Sequence, residues 1–143
     1  MVEFALIAPF LVLMLTASAD LARGFFMASQ MTNAAREGAL FAGHHSQSEP
    51  TLAALDADTK LAIEQEEQSS YAPLNCIQDT NVTITRASTP TWNSNPPGGM
   101  AATPGQNITE TITVTCNYHP LLGFLPLPNP VTLHAIVQTQ LVS

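Results

Sequence analysis

The first nineteen residues, Met1 to Ala19, form an almost unbroken apolar run whose one charged residue is Glu3. About twenty apolar residues are enough for a helix to cross a bilayer. This segment therefore has to be covered by lipid or by other protein, and that demand constrains the whole fold. Glu3 lies close enough to one end of the run to reach the interface, so it does not veto a span. A cleaved secretion signal fits less well, because such signals carry a basic n-region and a shorter apolar core. The missing basic leader leads to the expectation that the sequence begins after a processing event or has been trimmed.

The helical pattern does not stop at Asp20. Leu21, Phe25, Met27, Met31, Ala34, Ala35, Ala39 and Phe41 continue it. The spacing predicts one helix from about residue 2 to about residue 42, about 60 Å long at 1.5 Å per residue. Its first half is apolar all round and its second half amphipathic. Pro9 lies inside it and is expected to kink the helix or break its hydrogen bonding locally. Gly24 and Gly38 lower helicity slightly and permit close packing of neighbours, while Gly43 suits a terminator. Asp20 and Arg23 stand at i, i+3 and can pair on one face. Arg36 and Glu37 are adjacent, point to different faces, and suit a solvated or intersubunit helix surface. A helix of this length cannot be covered by the domain that follows it, so a membrane or identical neighbours must cover the rest.

Residues 44 to 50 make a polar break, after which Thr51 is placed to cap a shorter helix reaching about Ser69. Leu52, Leu55, Leu61 and Ile63 give that helix an apolar side. Glu64, Glu66 and Glu67 cluster at its unfavourable end for the helix dipole. From residue 74 the period changes to two. The stretches 81–87, 107–118 and 131–142 alternate β-branched apolar residues with threonine and other polar residues, as half-buried antiparallel strands do. Residues 88–106, rich in Pro, Gly, Ser, Thr and Asn, read as a long loop. Residues 119–130 form a second Pro-rich excursion, whose Leu121, Leu122, Phe124 and Leu125 suit either a neighbouring subunit or their own sheet. The expected fold is α+β: a helix over 1–43, and a small head over 44–143 with an antiparallel sheet and one disulfide.

That disulfide would join Cys76 and Cys116. If the apolar run sends the rest of the chain across a membrane, both cysteines reach an oxidising compartment. A bridge closing a loop of about 41 residues stabilises by roughly 4 kcal/mol on the chain-entropy model. Two free buried thiols are the alternative.

The net charge of −7 and the scattered basic residues, Arg23, Arg36, Lys60 and Arg86, argue against nucleic acid as a partner. No residue constellation points to an enzyme or to a cofactor: serine-nucleophile and phosphate-loop motifs are absent. His44 and His45 are adjacent in sequence without a fixed third ligand. Asp56, Asp58 and Glu64, with Glu66 and Glu67, are weak calcium candidates lacking EF-hand spacing, and a solvated acidic face is the default reading. Two sequons, at Asn81 and Asn107, are candidate glycosylation sites. The Thr-rich strands suit either O-linked sugar or a plain threonine face.

Three blocks carry a family resemblance. Val2-Glu3-Phe4-Ala5-Leu6 with Pro9, then Asp20 to Arg23, then Asn33-Ala34-Ala35-Arg36-Glu37-Gly38-Ala39 resemble the TadE-like pseudopilins of tight-adherence (Tad) systems, a branch of the type IV pilin superfamily. The resemblance covers Val2 to about Gly43. It implies a type IV pilin-like fold, with Phe4, Pro9, Asp20, Arg23, Arg36 and Glu37 in helix packing. It also implies a prepilin with a short basic leader, cut by a prepilin peptidase, held in the inner membrane, and extracted into a filament by pilus assembly machinery. Glu3 corresponds to the acid near the mature N-terminus. That acid usually stands fifth after the cut, so this sequence departs by two positions: either two residues are missing or cleavage differs.

An unpaired carboxylate in an apolar filament core costs several kcal/mol. A neighbour's terminal ammonium removes that cost only at the correct axial stagger, which makes Glu3 a register device; a snorkelling interfacial acid is the plainer alternative. The expected function is a structural pilin subunit that polymerises with copies of itself into an extracellular pilus for adhesion or motility. A minor pseudopilin that primes or caps another pilus, and a permanently membrane-anchored binding protein, are the rival readings.

Overall fold

The structure is a computed structural model. It describes residues 2–46, 48–69, 77, 81–87, 91–93, 99–101, 108–120 and 130–141, with the backbone alone for 2, 3, 5, 6, 91–93 and 99–101. The elements run in the order α1 (Val2–His45), α2 (Leu52–Ser69), β1 (Val82–Arg86), β2 (Thr91–Asn93), β3 (Gly99–Ala101), β4 (Ile108–Tyr118) and β5 (Val131–Leu141).

Helix α1 has 44 residues and is therefore about 66 Å long. It stays helical through Pro9. One missing N–H costs a single backbone bond, and the flanking residues are good helix formers. The helix also runs past Gly43, which is not its terminator. Ala42 is buried with Ile108 and Leu141, and that packing holds the last turn on the sheet. The helix ends where the Ser48 and Glu49 amides turn back onto the His45 carbonyl, at 3.0 and 3.2 Å. The hydroxyls in its apolar half are satisfied internally: Thr16 bonds the Val12 carbonyl, and Ser18 the Leu15 carbonyl at 2.9 Å.

Thr51 caps α2 as expected, its side-chain oxygen accepting from the Ala54 amide at 3.1 Å. The two helices lie close because Gly38 has no side chain. A Cβ there would stand 2.4 Å from Cγ1 of Ile63.

Strands β1, β4 and β5 form an antiparallel sheet with β4 central, in the register Val82↔Val114 and Val114↔Ala135. All three were expected from the alternation. The 88–106 stretch is not a plain loop, because β2 and β3 pair within it as a two-stranded ribbon with Trp92 opposite Met100. Three-residue strands are too short to leave a period-two signal among prolines and glycines.

The sheet's inner face packs against the helices. Met31, Ala34, Ala35 and Ala39 of α1 join Ile63 of α2 and Ile112, Val114, Cys116 and Ala135 of the sheet in one core. Small residues along this side of α1 let its backbone approach the strands, so the head is assembled around the helix's second half. The outer face carries Thr83, Thr85, Thr109, Thr111, Thr113 and Thr115, with His134, Ile136 and Gln138 on β5.

Candidate functional site

The feature with the clearest functional demand is the first half of α1. Phe4, Phe10, Val12 and Leu15 are each more than 60% exposed, and the described side chains before residue 20 are all exposed or half-buried. This is the described helix long and apolar enough to cross a membrane. Phe4 and Pro9 both face outward here. The Glu3 side chain lies outside the described residues, and its backbone belongs to α1.

Asp20 is the first buried residue along α1 among the described side chains. The Tyr118 hydroxyl at the end of β4 stands 2.8 Å from the Asp20 carbonyl oxygen and also bonds the Asp20 carboxylate, so its one proton is shared between them. The Tyr118 ring lies over Gly24, where an added Cβ would sit 3.7 Å from Cε1. Burial pushes the Tyr118 pKa up, and the hydrogen bond and charge of Asp20 push it the same way, against the opposing charge of Arg23. This contact latches the helix to the head at the residue where it leaves the core. Arg23, expected to pair with Asp20, is exposed beside it.

A second polar cluster ties α2 to the sheet. The Arg86 guanidinium on β1 donates to the Glu110 carboxylate on β4 at 2.8 Å and pairs with Asp56 on α2. Glu110 is fully buried, and its Oε1 has no hydrogen-bond partner among the described residues. Burial pushes the Glu110 carboxyl up, only partly countered by Arg86. Burial alone would lower the Arg86 pKa, but the hydrogen bond and charges of its two acids hold it above the usual arginine value.

The remaining expected residues are dispersed. Asp56 is engaged by Arg86, Asp58 faces a groove between the helices, and Glu64 is half-buried. Among the described residues no group of three His, Cys, Asp or Glu side chains could hold a metal. His44 and His45 occupy the last turn of α1, where cations suit the helix dipole, and the His45 ring stacks on Phe41 with centroids 4.1 Å apart. Arg36 and Glu37 are both exposed. Asn81 is half-buried, its carbonyl accepting from Thr115 at 3.3 Å, while Asn107 lies outside the described residues. Cys116 is buried on β4, and Cys76 lies outside the described residues.

Sequence reasoning did not find Tyr118, Glu110 or the role of Arg86. A signal existed for two of them: Glu110 and Tyr118 share the even-numbered parity of Ile108, Ile112 and Val114 and so belong to the inner face.

Residues 1–40 match the family described as TadE-like protein. The match coincides with the helix that projects from the head and the turns that anchor it, and it bears out the resemblance seen in the three sequence blocks. No curated protein matches the chain, and no solved structure does.

Proposed function

We propose that this chain is a pilin-like structural subunit of a Tad-type pilus, held in the inner membrane by the first half of α1 and then packed through that same segment into the filament. The observation that carries this reading is the division of α1. Its second half is the spine of the head's core, while its first half stands clear with large apolar side chains exposed. Exposed apolar surface on this scale calls for lipid or partner helices, and a pilin-like subunit meets one and then the other. The TadE-like match over residues 1–40 supports the association with pilus assembly.

In this proposal Glu3 sets axial register by pairing with a neighbour's terminal ammonium. The prepilin peptidase and assembly machinery are transient partners, copies of the chain are the permanent ones, and the acidic, Thr-rich head faces the exterior. A Cys76–Cys116 disulfide staples the head. It is supported by the burial of Cys116 and by the lack of a free cysteine among the described residues, and it is checked by alkylation and mass measurement with and without reductant.

Shearing the cells tests the central claim. Recovery of the chain with sheared filaments, abolished by Glu3→Ala, is expected. Retention in the membrane fraction, unchanged by that substitution, points instead to a permanent anchor. A map of purified filaments then separates a repeating subunit from a minor one that primes or caps another pilus: the chain at every helical position supports the first, and its absence from the shaft leaves the second.

A further inference from the structure

We infer that the acidic groove between α1 and α2 of one copy receives the Arg36-bearing face of α1 from a second copy, forming a head-level contact that rests on the polymer reading above.

The groove has a volume of about 470 Å³ and is lined by Glu37 and Phe41 from α1 and by Asp58, Leu61 and Glu66 from α2, among others. Its apolar part includes Leu61, which is 51% exposed. Among the described residues three carboxylates rim it, and none of the lining residues is Lys or Arg. Such a groove suits a ligand with an apolar body and a positive tip.

The same chain carries that ligand elsewhere on α1. Phe25, Ser29, Thr32, Asn33 and Arg36 border a shallow hollow of about 320 Å³. Phe25 is 78% exposed, and Arg36 has no ion-pair partner among the described residues. At 3.6 residues per turn, this face and the groove point roughly a third of a turn apart around α1. At 1.5 Å per residue, their centres are separated by about 13 Å along the axis. Two oppositely charged patches at different heights and azimuths cannot meet their own kind. Between copies packed with their α1 helices parallel, as the polymer reading requires, the Arg36 face of one meets the groove of the next, and such a heterologous contact repeats along the assembly where its rotation does not close a ring. A parallel neighbour staggered by about 13 Å along the axis brings its own Arg36 face level with the groove. The second copy is therefore the occupant already delivered to the groove.

The test co-expresses two differently tagged full-length copies, one with Arg36→Cys and the other with Leu61→Cys, and applies an oxidant to intact membranes and sheared filaments. A disulfide joining the two tags is expected, with much less product when both copies carry the same substitution. Arg36→Glu in an otherwise unsubstituted copy should cut incorporation into filaments about tenfold, because like charges then meet, and Glu66→Arg in the neighbouring copy should restore it. A control pair in the apolar segment, Val12→Cys with Leu15→Cys, reports helix association independently of the groove. Cross-linking by the control pair without the 36–61 product would overturn the groove contact while leaving the polymer reading intact. Cross-linking of Leu61→Cys to a different protein in place of the second copy would overturn it as well. Failure of both pairs would count against the polymer reading itself.

Discussion

The Tyr118 hydroxyl bonds both the carbonyl and the carboxylate of Asp20, joining residues 98 positions apart at the point where α1 leaves the core. The apolar segment can then be loaded by a membrane or a filament while the helix stays fixed to the sheet. A helix held only by its alanines and Met31 would be free to pivot at this level.

Tyr118→Phe removes that donor and keeps the ring over Gly24. A hydrogen bond to a charged acceptor is worth about 1.5–3 kcal/mol, and the partial exposure of this one places it near the lower end. The expected result is a fall of a few degrees in the midpoint of thermal unfolding, measured on the detergent-solubilised chain.

The same contact carries a pH dependence. The folded-state pKa of Tyr118 is raised, so its contribution is fully present below the unfolded tyrosine value of about 10 and is lost as the pH rises through the folded value. Denaturation measured between about pH 9 and pH 11.5 should show a steeper loss of stability in the native chain than in Tyr118→Phe. Equal slopes would mean that the phenol ionises without feeling Asp20.

Arg86 stands between two acids, one of them fully buried. Arg86→Met strands the Glu110 carboxylate, and breaking a buried pair in this way costs about 3–5 kcal/mol. Adding Glu110→Leu should recover most of the loss, as read by chemical denaturation. The Glu110 pKa is raised, so its favourable contribution is complete below the ordinary glutamate value of 4.5 and lost as the pH climbs through the folded value. The Arg86→Met deficit should therefore shrink on acidification, as Glu110 takes up a proton.

The two helix glycines should respond oppositely to alanine. At Gly38 the new Cβ meets Ile63 at 2.4 Å, an overpacking expected to cost about 1–3 kcal/mol by pushing α1 and α2 apart. At Gly24 it meets Tyr118 at an ordinary 3.7 Å. The gain in helix propensity of up to about 1 kcal/mol should leave Gly24→Ala neutral or stabilised. Thermal unfolding of the two variants side by side decides.

Much of this architecture was legible in the residues themselves. An apolar run followed by helical spacing to Phe41 specifies a long helix, because side-chain burial repeats with the turn. Alternation through Ile108, Ile112 and Val114 specifies a strand by the same logic with period two. Thr51 announced its cap, and the blocks from Val2 to Ala39 carried the TadE-like resemblance. What periodicity cannot convey is which distant groups meet. Asp20 with Tyr118, and Arg86 with Asp56 and Glu110, are pairings across elements, settled only when the sheet docks on the helices. Gly43 shows the same limit locally: its propensity favours a stop, but the packing of Ala42 against Ile108 and Leu141 carries the helix on to His45. Local preferences of about 1 kcal/mol per residue yield to burial worth more, and burial is decided by the tertiary structure.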